Sequence, residues 1–192
     1  MNISVEEKKL LLELARKAIL SYFTGEKITR PEFVKDSVLN SHAGAFVTLT
    51  EHKRLRGCIG YIISDQPLYD TICDAAIQAS QGDPRFPQVE LSEVKNISLE
   101  ISVLSEPFPL NNYDEIEIGK HGLILEEKGR RGLLLPQVPI EHRMNKEQYL
   151  DAICQKAGFH SSYWREKQLK LRAFTANVFS ESELESEAKE KM

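Results

Sequence analysis

The sequence predicts an α+β fold in a single domain, and three observations carry that reading. Residues 97–104 follow an almost ideal period of two, with Ile97, Leu99, Ile101 and Val103 alternating with Ser98, Glu100, Ser102 and Leu104, as in a half-buried strand. The stretches after Ser4 and after Asn145 instead repeat their apolar residues at helical spacing, between capping signals. A hairpin followed by a helix occurs twice, first around Arg56-Gly57 and again around Arg131-Gly132, which reads as a duplicated strand-rich unit. At 192 residues the chain can bury a substantial core as one domain. We place that domain at residues 1–180 and read 181–192 as a charged, flexible tail.

Taken in order, the N-terminal stretch to Tyr22 is an amphipathic helix: Ser4 and Glu7 have capping-box spacing, Leu10, Leu11, Leu14 and Ala18 share a face, and Gly25 offers a stop. Its charges exclude both a signal-peptide core and a membrane span. After a linker with Pro31, residues 43–50 and 55–63 form a hairpin across the polar break Glu51-His52-Lys53-Arg54. Pro67 opens a helix that buries Leu68, Ile72, Ala75, Ala76 and Ala79, with Gly82 past its end. Asp83-Pro84-Arg85-Phe86-Pro87 is a rigid loop fixed by its two prolines. The strand at 97–104 ends at Pro107 and Pro109. A second hairpin, 123–126 with 131–135, leads to a helix capped by Asn145 and Gln148 and stopped by Gly158, and 171–179 is a last strand.

Lys and Arg number 25 against 29 for Asp and Glu. Several of the acids lie after residue 180, so the body is near neutral and bulk nucleic-acid binding is not expected. Three widely spaced cysteines, Cys58, Cys73 and Cys154, argue for free thiols in a reducing compartment, and the absence of a targeting segment makes the cytoplasm the default. They lack the clustering of a zinc or iron–sulfur site, and no P-loop, G-x-G-x-x-G or H-E-x-x-H motif is present. We therefore expect no metal and no cofactor.

The most informative stretch is Leu55-Arg56-Gly57-Cys58-Ile59-Gly60. Two glycines flanking one thiol inside a strand signal close approach, either of a ligand or of another backbone. Strand alternation puts Arg56 on the same face as Cys58, where a guanidinium would favour the thiolate, the nucleophilic form. The competing reading is a small core cysteine beside a structural arginine. Among five histidines, His121 between Lys120 and Gly122 is the best candidate base, against the alternative of a turn residue bonded to the backbone. Glu141 could orient an arginine or a histidine, or form a plain salt bridge. Arg85 and Phe86 suit a carboxylate, a phosphate or a stacked base, or else a helix cap and a core plug.

Gly44-Ala45-Phe46-Val47-Thr48-Leu49, residues 55–60, Asp83-Pro84-Arg85-Phe86, Gly119-Lys120-His121-Gly122, Leu134-Leu135-Pro136-Gln137-Val138 and Lys156-Ala157-Gly158 together resemble the AMMECR-type domain, also called AmmeMemoRadiSam system protein A. The resemblance covers nearly the whole chain. It implies duplicated strand-and-helix units sharing a barrel-like mixed sheet. It also implies a bacterial or archaeal protein encoded beside a radical SAM protein and a Memo-like protein, in a family whose molecular function is not established. Two functions are thus open. One is an accessory or catalytic partner of that system, with a pocket around residues 55–60 and chemistry through Cys58, His121 and Glu141. The other is a non-catalytic binding or scaffold module. In that version Arg56, Gly57, Gly60, Arg85 and Phe86 serve an anionic ligand, a nucleic-acid segment or a partner protein.

Overall fold

The structure, a computed structural model, describes residues 2–28 and 37–190. The linker around Pro31 lies outside the described residues. In chain order the elements are α1 (Val5–Thr24), β1 (Ala45–Glu51), β2 (Arg54–Tyr61), α2 (Leu68–Gln81), β3 (Ile97–Leu104) and β4 (Phe108–Pro109). Then come β5 (Gly122–Glu127), β6 (Arg130–Leu134), α3 (Val138–Glu141), α4 (Lys146–Lys156), α5 (Tyr163–Glu166), β7 (Leu171–Phe174), β8 (Ala176–Ser180) and α6 (Glu181–Glu190). The fold is α+β. The strands form two separate four-stranded sheets, β2-β1-β3-β8 and β4-β7-β5-β6, where one shared barrel-like sheet was expected.

Contacts divide the chain into two compact units, Met1–Leu104 with Asn177–Met192, and Ser105–Ala176. In the first, Ala45, Val47 and Leu49 of β1 and Leu99 and Ile101 of β3 are buried together with Leu11, Leu14 and Ile19 of α1 and Ile72, Ala75 and Ala76 of α2. The capping box at Ser4 and Glu7 forms, and Gly25 ends α1 at φ 72°. In the second unit, Leu123 and Leu125 of β5 and Leu171 and Ala173 of β7 pack with Tyr149, Leu150, Ile153 and Cys154 of α4.

Each unit repeats one plan. In the first, Leu49 pairs with Gly57 on one side and Leu99 on the other. In the second, Leu125 pairs with Gly132 and Leu171. By register, then, Cys58 and Thr48 of the first unit correspond to Leu133 and Ile124 of the second. Both glycines serve the same end. A Cβ on Gly57 would lie 2.1 Å from the carbonyl oxygen of Ala79 in α2, and one on Gly132 would lie 2.7 Å from the amide nitrogen of Ala157, just past α4. A helix backbone rests directly on the strand in each case.

Two expectations are corrected. The single strand at 171–179 is two strands in different sheets, β7 and β8, separated at Thr175. There the Thr175 amide donates to Ser105 Oγ at 2.9 Å and its carbonyl accepts from the Ser105 amide at 2.9 Å, so the residue leaves the ladder. The charged tail is helix α6 over 181–190. Its start is held by Ser180 and Glu183, which bond each other's amides at 3.3 and 3.1 Å in capping-box fashion. Glu181 also accepts Arg16 through both carboxylate oxygens at 2.7 and 2.6 Å, and the Leu99 amide at 2.9 Å.

Gly57→Ala is expected to lower the unfolding free energy by about 2 kcal/mol or more, and Gly132→Ala by about 1 kcal/mol, because the first clash is closer and falls on a carbonyl oxygen. Urea midpoints of the two variants check the order; equal or negligible losses would show that the helices do not rest on these residues.

Candidate functional site

The site is built on β2, which lies at the end of its sheet and so has one side without a strand neighbour. The residues of the β1–β2 turn, His52 and Lys53, both have positive φ, 49° and 62°, the mark of a two-residue hairpin turn. Between Thr50↔Leu55 and Leu49↔Gly57 the register slips, leaving Arg56 as an extra residue, a β-bulge. The strand alternation that placed Arg56 beside the Cys58 sulfur is therefore interrupted at Arg56 itself.

Arg56 spends its guanidinium elsewhere. Nε and one terminal nitrogen take both oxygens of Glu93 at 3.0 and 3.1 Å, and the terminal nitrogens also reach the carbonyls of Pro87 and Gln88 at 2.7 and 3.2 Å. Arg56 and the Glu90 amide hold the Glu93 carboxyl below the usual carboxylate range. Arg56 thus ties the loop after α2 to the strand. Gly57 faces the α2 backbone, as described, whereas Gly60 lies on the other face of the strand, beside its partner Phe46, where a Cβ would meet the Ala45 carbonyl oxygen at 2.3 Å and the Phe46 ring at 2.5 Å.

The outward backbone of Cys58 is met by one pair of side chains. Its amide donates to Asp83 Oδ2 at 2.9 Å, and its carbonyl accepts from Arg85 at 3.2 Å. Asp83 and Arg85 are joined by two bonds, Nε to Oδ1 at 2.9 Å and a terminal nitrogen to Oδ2 at 2.7 Å. The Arg85 amide adds a third contact with Oδ1 at 3.1 Å, the geometry of an Asx-turn. The two side chains thereby do for Cys58 what a neighbouring strand would do. Asp83 is almost fully buried, its side chain 2% exposed, whereas that of Arg85 is 55% exposed. The Arg85 guanidinium, with the Cys58 and Arg85 amides, holds the Asp83 carboxyl well below its ordinary range against the opposing effect of burial. Phe86 lies under that guanidinium, 5.4 Å from its ring centroid, and is half-buried.

The Cys58 thiol is half-buried, with its Sγ 3.3 Å from the Thr48 hydroxyl directly across the ladder. The other cysteines sit differently. Burial, with Asp70 and Asp74, pushes the Cys73 thiol up to about 11, and burial raises that of Cys154.

His121 and Glu141 belong to the second unit. His121 is buried, accepts the Glu117 amide at Nδ1 over 3.2 Å, and turns its ring edge to Phe108 at 5.5 Å. Its carbonyl, with those of Leu134 and Leu135, surrounds the Tyr149 hydroxyl at 3.1, 3.3 and 3.3 Å. Glu141 is exposed on the short helix α3. Trp164 donates to Asp151 at 2.7 Å with Arg165 over its ring, so this aromatic is anchored within the second unit.

Sequence reasoning missed Asp83, Thr48 and Glu93 as parts of the site. For Asp83 a signal existed: an aspartate after a helix stop, followed by Pro84 and two positions before an arginine, is the pattern of a side-chain turn. Among the described residues no three His, Cys, Asp or Glu side chains come together as metal ligands, and no helix is long and apolar enough to cross a membrane.

The AMMECR1 family model matches residues 12–179. Protein MK0488 of Methanopyrus kandleri is 39% identical over 200 residues, covering 99% of this chain and 96% of its own. Protein MJ0810 of Methanocaldococcus jannaschii is 39% identical, with 98% and 97% covered. The crystal structure of an uncharacterized protein, PH0010 from Pyrococcus horikoshii, superposes with a TM-score of 0.83 at 38% identity over 93% of each chain.

Two measurements test this geometry. Because the Asp83 pKa is lowered on folding, the stability it contributes is complete above its unfolded value near about 4 and is lost as the pH falls through the folded value. Asp83→Asn should be less stable than the parent at neutral pH, and the gap should narrow steadily as the pH falls from about 5 to about 2; a gap that stays constant in urea titrations across that range would contradict the assignment. Iodoacetamide at neutral pH should label Cys58 ahead of Cys73 and Cys154, read by peptide mass mapping. Equal labelling of Cys154 would overturn the ranking.

Proposed function

The chain belongs to the AMMECR1 family, and on that premise we propose that it is a binding module that takes an anionic group of a partner protein on Arg85. The partners in this reading are the radical SAM and Memo-like proteins that the family resemblance implies. One observation carries it: Arg85 is more than half exposed, yet its fork is held rigidly by Asp83 and by the Cys58 carbonyl. A surface arginine ordinarily loses rotamer entropy when it binds; this one is already ordered, so that cost is removed in advance. The carboxylate that orders it is buried, so negative charge faces inward and the remaining N–H donors face outward. Phe86 under the guanidinium and Gly60 farther along the strand complete the surface.

A second reading, cysteine-dependent chemistry, draws support from the half-buried Cys58 sulfur beside the Thr48 hydroxyl. None of the contacts made by that sulfur among the described residues is a histidine or a carboxylate, so no base is set beside it there.

Calorimetric titration with the purified Memo-like protein separates the two. The parent chain should bind saturably, Arg85→Ala and Arg85→Lys should each bind at least about 10-fold more weakly, and Cys58→Ser should stay within about twofold. Arg85→Lys keeps a cation beside Asp83 without the two-bond fork, and an unchanged urea midpoint in that variant separates a loss of binding from a folding defect. Parent-like binding by both Arg85 variants would overturn the binding reading. Loss of output of the assembled system with Cys58→Ser, at unchanged affinity, would put the cysteine reading in its place.

A further inference from the structure

The two units treat the same edge of the same plan in opposite ways. In the first, the outward amide and carbonyl of Cys58 are closed off by Asp83 and Arg85. The register equivalent in the second is Leu133 on β6, which is likewise the last strand of its sheet. The β5–β6 turn, Lys128 and Gly129 at φ 50° and 74°, is a two-residue hairpin turn. In such a hairpin the flanking pair, Glu127 and Arg130, exchanges hydrogen bonds, and the alternation that follows aims the amides and carbonyls of Arg131 and Leu133 away from β5. Among the described residues no group bonds to these four backbone atoms.

The segment that follows α4, where the first unit carries Asp83-Pro84-Arg85, supplies no clamp. Phe159 stacks on Tyr163 at 4.4 Å and lies under Arg130, whose guanidinium donates to the Gly158 carbonyl. The edge is left open over a hairpin dense in positive charge. Arg131 and Arg172 share the single carboxylate of Glu126, Lys167 takes Glu127, and Lys128 and Arg130 have no carboxylate partner among the described residues. An uncovered edge invites a strand from another chain. Its charge selects which one: two copies of β6 pairing with each other would crowd Arg130 and Arg131 of both chains into one ladder, and like charges across a ladder are destabilising.

We propose that β6 is a docking edge for an extended acidic segment of a partner protein, which adds to the second unit's sheet by bonding to the amides and carbonyls of Arg131 and Leu133. The first unit has the same edge with its lock in place; the second has it without. This proposal is independent of Arg85 and of the reading built on it.

The test uses the full chain and a short capped peptide that alternates glutamate and valine. Labelled peptide should bind saturably below about 1 mM, and the Arg131 and Leu133 amides should exchange with deuterium more slowly in its presence. Leu133→Pro, which removes one edge donor, and Arg131→Glu, which reverses an exposed charge, should each weaken binding at least about 10-fold. Arg131→Glu lies at a surface position, so the test stands even if the proline variant fails to fold. A lysine–valine peptide should not bind. Absence of saturable binding, parent-like affinity of Arg131→Glu, or slowed exchange confined to other strands would overturn the proposal. So would edge protection without peptide accompanied by dimer sedimentation, which would assign the edge to a second copy.

Discussion

A strand at the end of a sheet carries amides and carbonyls that its own sheet cannot satisfy, and at Cys58 one aspartate answers that need. Asp83 accepts the Cys58 amide while holding Arg85 against the Cys58 carbonyl. Arg56, aimed by the bulge, fastens the following loop through Glu93, Pro87 and Gln88. Because these bonds converge on two residues of β2, Arg56 and Cys58, the position of the thiol, the order of Arg85 and the path of the loop are one structural fact. Burying a carboxylate is costly unless every lone pair is engaged, and the two nitrogens of Arg85 and two amides engage those of Asp83.

The glycines act on the opposite side of the strand. Gly57 lets α2 lie close enough that its backbone meets the strand's, and Gly132 does the same for the end of α4. The hexapeptide that carries the thiol is therefore shaped from two directions, by a helix on one face and by an edge clamp along its side. Neither role for these glycines involves a bound molecule.

Much of the fold was legible in the sequence because the signals were local. The capping boxes at Ser4 and Asn145, the alternation at 97–104 and both hairpins stand where periodicity and turn chemistry put them. What escaped was set by distant partners. Residues 171–179 have continuous strand character, and only the bonds between Thr175 and Ser105 divide them between two sheets. The charged composition of 181–190 hides a helix whose first turn is fastened by Arg16, 165 residues away in sequence. At the site, the hexapeptide itself was legible, but Arg56 was assigned by an alternation that the bulge interrupts. Asp83 was passed over because no local pattern reveals that its carboxylate reaches a strand.

The chain order of the two units bears on how the molecule is made. The second is continuous, Ser105–Ala176, and sits as an insertion in the first, whose last strand and helix follow it. During synthesis the residues of α1, β1, β2, α2 and β3 emerge before the second unit, yet the carboxylate of Glu181, which takes Arg16 and the Leu99 amide, emerges only after it. Domains generally fold as units in the order they leave the ribosome. Here the inserted unit has all of its residues before the enclosing unit has its own, so the strands made before it wait on β8, made after it, to complete their sheet.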